Sequence, residues 1–453
     1  MKKIPVNLEE KYEIIIKNIS HQGEGIGRVD NFAVFVPGAM IGEEIKIKII
    51  EIRKNFARAE LEEIIKPSLG RVKPPCPLFC LCGGCQLQHM TYEKQLELKR
   101  EITENAFNRI GKQKVNVLQT IKMANPWRYR NKGYFHLKKT NEHVNIGFYK
   151  ERSHTLIPVS QCLLFSRKIN HLSEYLEKEL GRENITVFNP VTGSGNFRGI
   201  IIRESKYSGE LMIIFITVED KWAIEEDFLI QLQKTFPKIV SICQNINQNS
   251  KMAIFGKKFK ILKGAKFIKD QIGPYQFKIS PSSFFQINVS QTEILYEKIT
   301  NCLNLLGTET IIDSYCGTGT ISIYLAGKAK KVYGLELQKG AVSDAWDNAM
   351  VNSLSNLKFF SGKAEKWLYK LSQNSEKADI IIIDPPRRGC SKEVLKNIIK
   401  INPRQIIYIS CDMVTLARDI KYIVQNGYRI EKMQPLDMFP HTKHIECLVH
   451  LKK

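Results

Sequence analysis

The sequence predicts an α/β protein in three parts. Residues 1–66 are expected to form a small OB-like β-barrel, residues 67–280 a mixed α/β central domain, and residues 281–453 a doubly wound, Rossmann-like parallel sheet. Three observations lead there. From Glu309 onward, short apolar runs alternate with segments of helical period, the pattern of a parallel sheet covered by helices. Between residues 11 and 65, apolar and polar residues alternate and glycines recur, the pattern of a small barrel. The region between has neither regularity, and it opens on a crowd of cysteines.

A chain of 453 residues suits roughly two to four domains. Lysine and arginine number 68 against 46 acidic residues, a balance of +22 that favours a polyanionic partner such as nucleic acid. No apolar run is long enough to span a bilayer. Lys2 and Lys3 lead into no apolar stretch, so a secretory signal is not expected and a cytoplasmic location is. Eleven cysteines, unevenly placed, do not suit a disulfide scaffold.

The barrel strands are expected at Tyr12–Ile16, Ala33–Val36 and Glu44–Ile49, punctuated by Gly23, Gly25, Gly27, Gly38 and Gly42. The pieces Gly23-Glu24-Gly25-Ile26-Gly27, Val36-Pro37-Gly38-Ala39 and Gly42-Glu43 resemble a TRAM domain, an RNA-binding barrel. Lys48, Arg53, Lys54 and Arg58 are then candidates for phosphate contact. A proline-bearing linker runs from Lys66-Pro67 to Pro74-Pro75.

Cys76, Cys82 and Cys85, spaced C-x5-C-x2-C, offer three thiolates from one tight loop that Gly83 and Gly84 allow to fold back. A fourth ligand must come from elsewhere: Cys162 is the candidate and Cys80 the local competitor. On spacing alone, structural zinc and an iron–sulfur cluster remain alternatives.

Thr91 to Ile110 has helical period, with Leu96, Ile102, Ala106 and Ile110 on one side. Residues 118–270 read as strand-rich, with Gly199–Arg203 and Glu210–Phe215 paired. The stretch from Trp127 to Tyr134 interleaves aromatics with cations, which suits stacking on bases. An ordinary basic strand is the equal alternative.

In the last part, strands are expected at Thr310–Asp313, Lys331–Leu335, Leu357–Phe360, Ile380–Ile383 and Gln405–Ile409, and helices at about 319–327, 339–352, 364–371, 391–401 and 413–425. Asp313-Ser314-Tyr315-Cys316-Gly317-Thr318-Gly319 follows the first strand, a D-x-x-x-G-x-G turn whose glycines let backbone approach a nucleotide-like cofactor. Glu336, at the end of the second strand, can accept from ribose hydroxyls. The dinucleotide position for a third glycine is not glycine, which favours S-adenosylmethionine over NAD. Asp384-Pro385-Pro386 ends the fourth strand and points to methyl transfer to nucleic acid. Arg387 stands where enzymes acting on exocyclic amines place an aromatic residue, so a carbon target is expected. Cys411 ends the fifth strand, beside a helix that Asp412 can cap. A helix N-terminus favours a thiolate there. A thiolate adding to pyrimidine C6 would make C5 nucleophilic.

Together with Ile279-Ser280-Pro281-Ser282-Ser283-Phe284-Phe285-Gln286-Ile287-Asn288 and Asp437-Met438-Phe439-Pro440-His441-Thr442-Lys443-His444-Ile445-Glu446, these segments resemble the RNA (uracil-5-)-methyltransferase family. The cysteine run looks like its iron–sulfur branch, which acts on 23S ribosomal RNA. The resemblance implies a class I methyltransferase domain. It implies S-adenosylmethionine contacts at Gln286, Tyr315, Glu336 and Asp384, with Cys411 as nucleophile and Glu446 as base. It also implies a 4Fe–4S cluster on Cys76, Cys82, Cys85 and Cys162, with Cys80 outside the ligand set. The expected partner is a flipped or single-stranded uridine of 23S ribosomal RNA, met by a monomer, and the helix around 92–115 is expected to pack on the catalytic domain. The alternatives are transfer RNA as substrate, a cytosine-5 enzyme using Cys390, or a non-catalytic RNA-binding iron–sulfur protein.

Overall fold

A computed structural model describes residues 4–140, 143–151, 153–183, 185–222, 224–248, 254–373 and 378–453. In the strand Glu44–Ile52, Ile45, Ile47 and Ile49 are sealed from solvent while the residues between them are not. That period of two makes one face of the six-stranded N-terminal sheet an apolar core with Ile14, Val34, Val36 and Ala57. The linker is pinned to this barrel by Arg71, whose guanidinium pairs with the fully buried Glu43 and donates to Gly38 O at 2.6 Å. Arg58 is also engaged internally: it pairs with Glu24 and lies over the rings of Phe35 and Phe56. Lys48 pairs with Glu9, and Arg53 with Glu51. Of the four expected phosphate contacts, these three also pair with acids of the barrel, and Arg53 keeps 65% of its side chain exposed.

The central sheet has seven strands, from Lys258–Gly264 at one edge to Leu156–Pro158 at the other. Phe197–Glu204 and Leu211–Thr217 pair antiparallel at its middle, with Ile201 opposite Ile214. One face is covered by the helix Arg167–Arg182, through Ile169, Leu172 and Leu176. Ile201, Met212, Ile214 and Ile216 on the other face join the core of the C-terminal unit. The hairpin of Ile268–Ile272 and Tyr275–Ile279 joins the same core.

The C-terminal sheet has seven strands in the order Leu357–Ser361, Lys331–Glu336, Thr310–Ser314, Ile380–Ile383, Gln405–Ser410, Glu446–Lys452, Arg429–Leu436. The first five are parallel. Glu446–Lys452 runs antiparallel to both its neighbours. Ile380–Ile383 is four buried isoleucines, as a strand covered on both faces requires. The intervening helices are Thr320–Ala326, Lys339–Val351, Ala364–Gln373, Lys392–Ile401 and Met413–Gln425.

The helix Tyr92–Ala106, capped by Thr91, packs on this unit. Its buried side carries Gln95, Leu98, Lys99, Ile102 and Thr103. Of the expected stripe, Ile102 is buried and Ala106 and Ile110 pack against the same core; Gln95 and Lys99 join that face because they find buried partners described below. No helix among the described residues is long and apolar enough to cross a membrane.

Candidate active site

The carboxyl ends of the parallel strands bring together the side chains the sequence singled out. Tyr315 follows the central strand, Glu336 ends its neighbour, Asp384 follows Ile383, and Cys411 follows Ser410. Glu446 reaches the same edge because its strand runs the other way. In that ladder Ser410 faces Cys447. The ladder ends one residue short of Cys411 and Glu446, and the two are near enough for the Glu446 charge to act on the Cys411 thiol.

The glycine turn is open where a ligand would need it. Gly317 has φ of +56°, and a Cβ there would meet nothing within 4 Å. Gly317 N and Gln338 N donate to the Glu336 carboxylate at 3.2 and 2.8 Å, so the acid closes the turn. Thr318 Oγ1 donates to Phe284 O at 3.4 Å, which draws the segment bearing the half-buried Gln286 to the same turn. Tyr315 has φ of +67°, a costly conformation for a non-glycine residue, and its ring packs in the adjoining core. An adenosine-bearing cofactor fits this open backbone and its acid.

The electrostatics of the edge depart from one expectation. Asp412 caps the helix Met413–Gln425 by accepting from Thr415 N at 2.9 Å. The Cys411 thiol is nevertheless pushed up to about 11. Burial is the largest cause and the Glu446 charge the next; the Arg387 guanidinium opposes them only in part. In the free protein Cys411 is therefore a thiol, and the helix N-terminus does not outweigh desolvation. Burial also pushes Asp384 up to about 7 and holds Glu446 well above the carboxylate range, with Asp384 adding to the effect on Glu446. Two acids crowded into one dry site share protons. A base raised in this way is better matched to removing a proton from carbon.

Cys390, the rival nucleophile, is buried in the core, with Tyr408 OH 3.6 Å from its sulfur and Asp419 Oδ2 accepting from its N–H at 2.8 Å. Burial pushes it up to about 12.

Cys76, Cys82, Cys85 and Cys162 all border one cavity of about 640 Å³, and Cys80 does not line it. The Cys85 thiol is pushed up to about 12 by burial, with smaller contributions from Cys162, Cys82 and Cys76, so the four sulfurs feel one another. Four soft donors around one space fit an iron–sulfur cluster. Among the described residues, however, no group of three or more His, Cys, Asp or Glu side chains, these four cysteines included, is gathered closely enough to hold a metal ion.

The rings of the stretch 127–134 are turned inward, while Arg128 between them is exposed. Trp127 stacks on His441 at 3.6 Å, Tyr129 OH donates to Pro440 O at 3.1 Å, and Tyr134 lies against His136. These rings lock the central domain onto the C-terminal unit, so the bland alternative for this stretch is the better account. Sequence reasoning missed three polar residues that hold the segment before Glu446, namely Gln86, Gln95 and Lys99. Their signal was faint: a Lys and a Gln one helical turn apart, beside the buried Leu98 and Ile102.

The fold and the site define a class: a doubly wound α/β enzyme of methyltransferase type, with an N-terminal barrel. A family model described as tRNA (Uracil-5-)-methyltransferase matches residues 91–453, and a TRAM domain model matches residues 5–61. The chain belongs to the tRNA (uracil-5-)-methyltransferase family and carries an N-terminal TRAM domain. It is 41% identical over 448 residues to a Clostridium tetani (strain Massachusetts / E88) protein named as an uncharacterized RNA methyltransferase, covering 99% of this chain and 97% of that one. A Staphylococcus epidermidis (strain ATCC 12228 / FDA PCI 1200) protein of the same designation is 42% identical over 433 residues, covering 95% of each. Among solved structures, Pyrococcus abyssi tRNA (uracil-54, C5)-methyltransferase in complex with S-adenosyl-L-homocysteine is similar, with a TM-score of 0.78 and 27% identity. The match covers 97% of this chain and 100% of that one.

Proposed function

We propose that this protein methylates C5 of a uridine in 23S ribosomal RNA, using S-adenosylmethionine and a covalent link between Cys411 and C6. The observation that carries the chemistry is the meeting of Cys411 and Glu446 at one strand edge, beside the open glycine turn at Gly317. The +22 charge and the TRAM barrel support an RNA partner, and the cysteine-lined cavity supports the iron–sulfur branch that acts on ribosomal RNA.

Gln286, Tyr315, Glu336 and Asp384 would hold S-adenosylmethionine, which supplies an electrophilic methyl group on a sulfonium. The flipped uracil lies over Cys411. Cys411 would lose its proton to solvent, with Arg387 beside the thiolate, and add its sulfur to C6; the displaced electron pair makes C5 the nucleophile that takes the methyl, and the pair of the broken methyl–sulfur bond stays with sulfur as S-adenosylhomocysteine leaves. Glu446 removes the C5 proton. The C5=C6 bond re-forms as the Cys411 sulfur leaves. Arg387 stabilises the thiolate at both ends of this cycle. Cys76, Cys82, Cys85 and Cys162 would hold a 4Fe–4S cluster as a structural tie, since no step of this scheme transfers an electron.

The test uses trapped intermediates. Glu446→Gln should accumulate an enzyme–RNA adduct that carries the transferred methyl and survives a denaturing gel. Cys411→Ala should give none, and Cys390→Ala should behave as wild type. An adduct lost in Cys390→Ala but kept in Cys411→Ala would reverse the assignment.

Transfer RNA is the second reading, favoured by the similarity to the Pyrococcus abyssi enzyme over nearly the whole chain. Offering both RNAs with labelled S-adenosylmethionine separates the two. Label confined to transfer RNA would replace the ribosomal substrate, and no label in either would leave an RNA-binding protein.

A further inference from the structure

The segment leading into Glu446 is held by the cysteine loop. Gln86 N and Leu87 N both donate to His441 O, at 3.1 and 3.0 Å. The Gln86 side chain spans the same junction: Nε2 donates to Gly83 O at 2.9 Å, and Oε1 accepts from Lys443 N at 3.3 Å. A third element closes the contact. Lys443 Nζ lies 3.2 Å from Glu151 Oε1. Gly83 packs so closely on that turn that a Cβ would meet Tyr149 O and Glu151 N, each at 3.2 Å.

His441 has φ of +65°, a strained conformation for a residue with a side chain. Such a conformation persists only where the surroundings over-determine it. Here its carbonyl is fixed by the cysteine loop, its N–H donates to Gln95 Oε1 at 3.0 Å, and its ring is stacked under Trp127. Five residues further on, the chain delivers Glu446.

Resting on the reading of Glu446 as base, we propose that Gln86 is a positioning residue: it couples the cysteine loop to the placement of the Glu446 carboxylate. Cys411 follows the neighbouring strand and precedes the helix that Asp412 caps, and none of the Gln86 contacts given above involves it. The two halves of the cycle therefore depend on Gln86 unequally. Addition and methyl transfer are spared, and proton removal with elimination is not. This gives the cysteine loop a task in a reaction that uses no electron.

The full-length protein tests this with Gln86→Ala and with Gln86→Glu, which keeps the oxygen that accepts from Lys443 N. In single turnover, Gln86→Ala should transfer methyl at close to the wild-type rate but release product roughly tenfold more slowly or worse, the usual cost of a displaced catalytic group. Methylated adduct should accumulate on a denaturing gel, with Gln86→Glu lying between Gln86→Ala and wild type. Transfer and release falling together in both variants, in step with a lowered melting temperature, would reduce Gln86 to a stabilising residue and overturn the proposal. Adduct in Glu446→Gln but in neither Gln86 variant would also overturn it, leaving the role of Glu446 intact. Absence of adduct in Glu446→Gln with turnover preserved would instead remove the base assignment beneath it.

Discussion

The Lys99 ammonium lies 2.6 Å from the Asp437 carboxylate, with 1% and 0% of the two side chains exposed. It also donates to Phe439 O at 3.0 Å. A lysine on the helix Tyr92–Ala106 thus anchors the start of the segment that ends at Glu446. Burial lowers the lysine's pKa, and Asp437 works against that. Removing one member leaves the other charged and dry. Lys99→Met should destabilise the protein by about 3–5 kcal/mol in chemical denaturation. A loss within the error of the measurement would show that water or a neighbour satisfies Asp437 in its place.

The Cys411 thiol, held at about 11, predicts a pH profile with a definite sign. Only the thiolate reacts with iodoacetamide. Alkylation of Cys411, followed by peptide mass spectrometry, should rise with pH and still be climbing at the alkaline limit of stability. Glu446→Gln removes a charge that opposes ionisation and should shift the profile to lower pH. Arg387→Ala removes a charge that assists it and should shift the profile higher. Shifts in the reverse directions would contradict this electrostatic account.

Glu336 shapes the glycine turn by accepting from Gly317 N and Gln338 N, and on the proposed function it also takes the cofactor's ribose. Glu336→Ala should weaken S-adenosylmethionine binding by about 2 kcal/mol or more, the scale of charge-assisted hydrogen bonds. Calorimetry showing unchanged affinity would move the ribose contact to another residue.

The proposed cluster on Cys76, Cys82, Cys85 and Cys162 has a direct test. Anaerobically purified protein should be brown and contain iron and sulfide. Cys162→Ser should lose much of both, and Cys80→Ser should keep them, because Cys80 does not line the cavity. A colourless protein with stoichiometric zinc would replace the cluster.

By itself the sequence determined the strand and helix pattern of the C-terminal unit and which polar side chains stand at its strand ends. Period and punctuation are local properties, and a four-isoleucine strand ending in Asp384, or a thiol before a capping Asp412, declares its place without its neighbours. The barrel was legible for the same reason, since alternation along Glu44–Ile52 needs only the chain itself. The tertiary structure decided what depends on distant partners. It turned Trp127 and Tyr129 from an RNA surface into a seam against His441 and Pro440, and gave Arg58 to Glu24. It made Cys411 a thiol, because desolvation and the Glu446 charge come from folding rather than from the helix beside it. It also set Gln86, Gln95 and Lys99 against a segment some 340 residues away along the chain. A polar side chain carries no mark in sequence of the partner it will meet once both are buried; only packing brings the two together and excludes the water that would otherwise satisfy each alone.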